Sequence, residues 1–230
     1  MNSAAAPRFA HDPRRFVDRH RYALLFFSLL LTVAIGPLLE AVNFGRNAME
    51  AFLAMNLIAA VFPIVVKGER RTLYVLIALA VVLRIFATHG PQAPALSILG
   101  AITWGTIALI AAYRAVRFSL SSVRIDAERV YAALSAYLLI GVCWGVAYAA
   151  MTRVAPGSLL SGGVVPAAGI GMGDAIYFTF VTLATLGYGD LVPATPAMRG
   201  LAVFEAVIGQ LYLALLVARL VGLQTAAHSR

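Results

Sequence analysis

The hydrophobic positions of this chain fall into long runs that are separated by short polar or basic stretches. A helix that spans a bilayer needs about 20 mostly apolar residues, within a range of about 17–25. Six runs reach this length: residues 22–42, 48–66, 72–88, 94–113, 130–152 and 198–223. A shorter apolar run, residues 174–185, cannot cross. The pattern therefore predicts an all-α membrane protein with six transmembrane helices.

The composition strengthens this prediction and excludes several classes of protein. The chain is 61% hydrophobic and 12% charged, whereas soluble domains are about 45–50% apolar and about 25% charged. So little polar surface excludes a water-soluble enzyme, a disordered chain and a nucleic-acid-binding domain. We expect no enzymatic activity and no nucleic-acid partner. The single cysteine, Cys143, permits no disulfide within the chain and is interpreted as a small apolar residue.

The distribution of basic residues predicts the orientation in the membrane. With six spans both termini lie on one side, and 14 of the 18 Lys and Arg residues fall on that side. The other four are Arg46, Arg84, Arg153 and Arg199. Because positive residues collect in cytoplasmic loops, we expect a multi-pass protein of the cell (inner) membrane with both termini in the cytoplasm.

The short run at residues 174–185 lies between the last two spans, after a Gly/Pro/Ser-rich stretch at residues 155–173. Its position predicts a re-entrant helix that enters the membrane from the outer side and returns. Non-helical backbone at membrane depth is tolerated only where protein or a water-filled cavity covers it. A loop that follows such a helix therefore indicates a pore.

That loop has the sequence Thr185-Leu186-Gly187-Tyr188-Gly189-Asp190. It resembles the signature of the tetrameric potassium channels, with Leu186 where the family has valine. The resemblance covers about residues 174–221. It implies a bacterial six-span channel of the voltage-gated-like superfamily, with one pore helix and one selectivity-filter loop per subunit.

The resemblance assigns the ion sites to this loop. The backbone carbonyls of Thr185, Leu186, Gly187 and Tyr188, with the Thr185 hydroxyl, would bind K⁺ in place of its hydration shell. Successive carbonyls can point to one side if right- and left-handed dihedral angles alternate, and Gly187 and Gly189 adopt the left-handed ones without a Cβ penalty. K⁺ is the permeant ion, and no cofactor is expected.

Two further residues are expected to support the filter. In the family the acid at the position of Asp190 forms a hydrogen bond behind the filter, and Tyr177 on the pore helix is the candidate partner. Some relatives carry a buried acid where this chain has Val181. That additional contact is absent here, which leaves the inactivation of the filter open.

The resemblance also divides the chain into segments. These are a basic cytoplasmic N-terminus at 1–21, a four-helix sensor-like domain at 22–113, a cytoplasmic linker at 114–129, a pore domain at 130–223 and a short cytoplasmic tail at 224–230. Voltage gating requires about 3–4 charges in each subunit to move through the field. Since residues 95–113 carry no charge, steep voltage gating is not expected.

Three residues are candidates for gating. Gly209 matches a hinge glycine of the family, although close helix packing explains it equally well. Glu205 is an acid within the last span and is expected near Arg199 or a group of the pore helix. Arg84 lies in the outer third of the third span, at a depth similar to that of Glu40 and Glu50. Arg84 and these acids form either a gating or sensing pair or, more simply, an ion pair, or the Arg84 side chain reaches the interface.

The sequence thus predicts a potassium-selective channel that passes K⁺ down its electrochemical gradient. A closed ring of carbonyls needs four loops, so each chain is expected to assemble with three further copies of itself. Membrane lipids and an unidentified regulatory protein are the other partners considered. The alternatives are a weakly selective cation channel, the membrane subunit of a potassium-uptake system that needs a cytoplasmic partner, and a non-conducting regulatory subunit.

Overall fold

The computed structural model describes residues 20–41, 94–121, 126–166 and 170–228, together with Met55, Val75 and Ala78. Within this part the architecture is mostly helical. The helices are α1 (Arg21–Ala41), α2 (Pro94–Leu120), α3 (Ala127–Val154), α4 (Met172–Leu183) and α5 (Pro196–His228), and the strands are β1 (Leu159–Ser161) and β2 (Leu191–Pro193).

Three described helices are long and apolar enough to cross a membrane, over Ile98–Leu120, Ala127–Val154 and Pro196–Thr225. This agrees with the predicted all-α membrane protein. The predicted runs 48–66 and 72–88 lie outside the described residues, apart from Met55, Val75 and Ala78, which are helical. Arg84 and most of the basic N-terminus also lie outside them.

The helix boundaries extend beyond the apolar runs because polar residues stabilise the helix ends. The helix α3 begins at Ala127, where the side chain of Asp126 accepts a hydrogen bond of 2.9 Å from the Arg129 backbone N–H. Likewise α2 continues past Tyr113 to Leu120 and carries Arg114 and Arg117 in its last turns. The segment expected as a cytoplasmic linker is therefore helical over its first residues.

Helix α3 lies at the centre of the described structure and packs against α1, α2 and α4. Its contact with α4 is close because two glycines face α4. A Cβ atom at Gly141 would lie 2.6 Å from the Phe180 ring, and one at Gly145 would lie 2.4 Å from the Ile176 side chain. The two glycines are four residues apart, the spacing that allows helix backbones in membranes to approach closely. This packing fixes the position of α4.

A small antiparallel sheet joins the two segments that flank α4. Leu159 pairs with Pro193, Leu160 with Val192 and Ser161 with Leu191. Both strands lie in stretches that the hydrophobic pattern assigns to loops. The sheet ties the segment after α3 to the residues that follow the signature loop.

Candidate ion-binding loop

The signature loop, residues 185–190, connects the end of α4 to β2. Helix α4 begins after Gly171, whose backbone N–H donates to Asp174 Oδ2 at 3.4 Å. It ends at Leu183, and the Ala184 N–H donates to the Phe180 carbonyl at 3.0 Å. The loop therefore leaves directly from the carboxyl end of a helix that is packed against α3.

The backbone of the loop alternates in handedness. Gly187 has φ of 57° and Gly189 has φ of 80°, as the resemblance implies. Thr185 also lies in the left-handed region, with φ of 57°. A non-glycine residue in this region carries strain that the surrounding structure must offset. Every second residue from Thr185 to Gly189 is thus left-handed, a regularity that the sequence reveals only for the two glycines.

Backbone hydrogen bonds hold the first half of the loop against α4. The Thr185 N–H donates to the Thr182 carbonyl at 3.0 Å. The Val181 carbonyl accepts from the N–H groups of Leu186 at 2.9 Å and Gly187 at 3.4 Å. Residue 181, where some relatives carry an acid, therefore contacts the loop through its backbone. These bonds orient the N–H groups of the loop toward α4.

The sheet holds the other end of the loop. The Gly162 N–H donates to the Asp190 carbonyl at 2.8 Å, and the Ala194 N–H donates to the Ser158 carbonyl at 2.9 Å. These two bonds flank the three pairs between β1 and β2. The loop is consequently fixed at both ends while its middle remains accessible: Leu186 is 56% exposed and Tyr188 67% exposed in the single chain.

The two residues expected to support the loop lie together. A hydrogen bond from the Tyr177 hydroxyl to the Asp190 side chain, with the nearby negative charge, raises the pKa of Tyr177 above its ordinary value. Tyr177 is partly exposed on α4. The structure thus brings a residue of α4 next to the last residue of the loop. Their role in supporting the filter stays a prediction.

Glu205 is 0% exposed, and its partners lie on other helices. Its Oε2 accepts a hydrogen bond of 2.7 Å from the hydroxyl of Tyr148 on α3, and Thr179 on α4 faces the same carboxyl group. Arg199, one of the two neighbours expected from the sequence, instead donates through Nε to the Pro193 carbonyl at 3.2 Å. Of the two neighbours expected for Glu205, the structure therefore provides the group on the pore helix α4, which is Thr179.

Gly209 lies against the end of α4. A Cβ atom there would meet Leu183 Cδ2 at 2.6 Å and the Leu183 carbonyl oxygen at 3.4 Å. Close packing therefore accounts for this glycine, without excluding bending. The next residue, Gln210, donates from Nε2 to the same carbonyl at 3.1 Å. Gln210 was not among the residues predicted from the sequence, although a lone amide in an apolar run is a visible signal.

The described residues contain no group of three or more His, Cys, Asp or Glu side chains that could hold a metal ion. Four residues, Thr185 to Tyr188, supply the carbonyls that the resemblance assigns to K⁺. Their assignment as ion ligands remains a prediction.

Comparison with known proteins connects this region to channels. Residues 136–225 match a family model described as an ion channel. Over 78 residues the chain is 44% identical to two pore potassium channel c of Oryza sativa subsp. japonica, a stretch that covers 33% of this chain and 14% of that protein. No solved structure matches the chain significantly. The family match includes the signature loop and points to a channel and not to an enzyme. The chain covers only a small part of the length of the rice protein.

Proposed function

We propose that this protein is a potassium-selective channel that conducts K⁺ passively through a pore formed by four copies of the chain. The observation that carries the proposal is the loop at residues 185–190. Its left-handed residues at Thr185, Gly187 and Gly189 alternate with the others, which is the backbone arrangement that directs successive carbonyls toward one side. Stacked rings of such carbonyls replace the hydration shell of K⁺.

The exposure of the loop supports assembly into a ring. One chain contributes one loop, and one loop cannot surround an ion. Leu186 and Tyr188 are more than half exposed in the single chain, as are Leu211 and Leu215 on α5. Such large apolar side chains are removed from water when copies of the chain pack around a common axis, or when the side chains contact lipid. We therefore propose a homotetramer, in which α4 and the loop form a re-entrant pore segment between the spans α3 and α5.

The absence of charge in most of α2 supports weak voltage dependence. Between Pro94 and Tyr113 this helix contains no Asp, Glu, Lys or Arg, and its arginines begin at Arg114. Gating by voltage requires about 3–4 charges per subunit to move through the field. We propose that the channel opens without a steep dependence on voltage and that the termini face the cytoplasm.

A planar-bilayer recording of the purified full-length protein tests the proposal. With a K⁺ gradient, and then with Na⁺ replacing K⁺ on one side, the reversal potential should follow the K⁺ equilibrium potential, and current should be present at all voltages. A reversal potential near zero in the gradient would indicate a weakly selective cation pore. Silence under all conditions would contradict autonomous conduction and favour a subunit that needs a partner.

A further inference from the structure

The carboxyl group of Glu205 lies at the meeting point of three helices. Glu205 itself is on α5, Tyr148 is on α3 and Thr179 is on α4, and each of these residues is 0% exposed. Tyr148 donates its hydroxyl proton to Glu205 Oε2 at 2.7 Å. Thr179 is six residues before Thr185, so this site lies behind the signature loop rather than in it.

Two polar atoms at this site lack a hydrogen-bond partner. Among the residues that the structure describes, Glu205 Oε1 and Thr179 Oγ1 are both buried and unpaired. The hydroxyl of Thr179 nevertheless faces the Glu205 carboxyl group. A small adjustment of either side chain would join the two atoms. Buried polar groups are almost always paired in native proteins, so this juxtaposition calls for a hydrogen bond.

The surroundings of Glu205 decide which atom donates. A buried carboxylate is costly unless a cation compensates it. The ionisable groups that face Glu205 from α3 are the neutral hydroxyls of Tyr148 and Tyr137. Helix α4 contributes the Thr179 hydroxyl, whereas its acid, Asp174, lies in its first turn and is exposed. Arg199 on α5 is also exposed. A neutral carboxyl group has one O–H to donate and an oxygen free to accept, which fits this set.

We propose that Glu205 is a positioning residue for conduction, and that its neutral carboxyl group accepts from Tyr148 and donates to Thr179, thereby holding α4 against α3 and α5. This inference rests on the proposed channel function. The bridge fixes α4, and the loop begins at the end of this helix. The Val181 carbonyl of α4 also accepts hydrogen bonds from the N–H groups of Leu186 and Gly187 in the loop. Loss of the bridge should therefore disturb the loop as well as the helix packing.

The protonation of Glu205 can be tested without any conduction. Infrared difference spectra of the purified full-length protein, wild type against Glu205→Gln, should contain the C=O stretch of a protonated carboxylic acid. The matched control is Glu128→Gln at the start of α3, where the carboxylate accepts from the Tyr22 backbone N–H and is partly exposed. The control should not remove that band. Absence of the band from the Glu205 difference spectrum overturns the proposal.

The positioning role is tested by single-channel recording. Glu205→Gln keeps one acceptor and one donor, so its open probability should remain within about twofold of wild type. Glu205→Leu and Thr179→Val remove the bridge and should lower the open probability about fivefold, the factor that corresponds to about 1 kcal/mol. Thr179→Ser keeps the hydroxyl and should restore wild-type behaviour. If Glu205→Leu fails to assemble, the comparison of Thr179→Val with Thr179→Ser still tests the bridge.

Three results would overturn the positioning role. Glu205→Gln could impair opening as much as Glu205→Leu, which would mean that the charge is required. Thr179→Val could lower only the thermal stability of the assembly and leave the open probability unchanged, which would mean a purely structural role. Thr179→Ser could behave like Thr179→Val. By contrast, a wild-type protein that passes no K⁺ would refute the proposed function, and the infrared band would still decide whether Glu205 is neutral.

Discussion

The side-chain amide of Gln210 donates a hydrogen bond of 3.1 Å to the backbone carbonyl of Leu183, the last residue of α4. The last carbonyls of a helix have no partner within the helix and must find one elsewhere. Here the partner comes from α5, one residue after the glycine that packs against the same leucine. Helix α5 is thus joined to the point from which the signature loop departs.

Replacement of Gln210 tests this contact. Gln210→Leu removes the donor and leaves the Leu183 carbonyl unpaired, which should reduce the stability of the assembly by about 1 kcal/mol and lower the open probability. Thermal unfolding and single-channel recording measure the two effects. An unchanged Gln210→Leu protein would mean that water replaces the amide.

Substitutions at two glycines with nearly equal φ angles can distinguish an effect on conduction from an effect of backbone strain alone. Gly189 has φ of 80° and Gly163 has φ of 82°. In the described part of the chain, a Cβ atom at either position would meet no atom within 4 Å other than those of its chain neighbours. Alanine at either position should therefore cost a similar amount, about 1–2 kcal/mol. Only Gly189 lies in the signature loop.

We accordingly expect Gly189→Ala to abolish K⁺ current or selectivity, and Gly163→Ala to retain both with a comparable loss of thermal stability. Recording in a K⁺ gradient, together with a thermal melt of each purified variant, compares the two. Equal loss of current in both variants would show that strain outside the loop is enough to stop conduction. Equal retention would contradict the assignment of the loop as the filter.

The hydrogen bond between Tyr177 and Asp190 gives a prediction for alkaline pH. Because this bond raises the pKa of the Tyr177 hydroxyl, its stabilisation is fully present below about pH 10, the ordinary tyrosine value. It is lost as the pH rises through the higher pKa of the folded state, since the ionised hydroxyl cannot donate and repels the Asp190 carboxylate. The outer end of the loop should then become less stable.

Tyr177→Phe removes the hydroxyl that donates to Asp190. We therefore expect the current of the variant to decay faster than that of wild type at neutral pH. Wild type should show the same faster decay only above about pH 10, where its tyrosine hydroxyl ionises. The current of the variant should also change less than that of wild type when the outer solution becomes alkaline. Macroscopic current decay at neutral and alkaline outer pH measures both. If wild type and Tyr177→Phe respond identically to alkali, the hydrogen bond between Tyr177 and Asp190 is not the cause of the response.

The sequence was sufficient for features that are local in the chain. The signature at residues 185–190 predicted the left-handed glycines, and the apolar runs predicted α3 and α5 to within a few residues at each end. Contacts between distant residues were not predictable in this way. The pairing of β1 with β2 and the bond between Tyr148 and Glu205 join residues that are 30 or more positions apart. Hydrophobic periodicity carries no information about such pairs.

Besides Gln210, one further feature that was not predicted has a visible signal in the sequence. Gly141 and Gly145 have the spacing typical of close helix packing in membranes, and the structure places Phe180 and Ile176 of α4 against them. The left-handed angle of Thr185, by contrast, could not have been expected from residue type, because threonine disfavours that region. The hydrogen bonds that hold the loop to Val181 and Gly162 compensate for this strain, and they become evident only in the folded chain.

The roles of Gly209 in packing and in bending can be distinguished by a matched pair on α5. A methyl group at Gly209 would overlap Leu183. Among the described residues, a methyl group at Gly222 would meet no atom within 4 Å beyond its chain neighbours and its own helix backbone. Overpacking costs about 1–3 kcal/mol, while alanine in place of glycine in an open helix position gains up to about 1 kcal/mol. We expect Gly209→Ala to lower the thermal stability of the assembly and Gly222→Ala to preserve or raise it.

Single-channel recording of the same two variants completes the comparison. If Gly209 serves as a packing position, Gly209→Ala displaces the end of α4, and the open probability should fall together with the stability. If it serves only as a hinge, the stability should remain unchanged while the rates of opening and closing decrease, because alanine stiffens the helix. The direct contact with the Leu183 carbonyl, which Gln210 also binds, favours the first outcome: bending at this residue would break the connection that holds the loop in place.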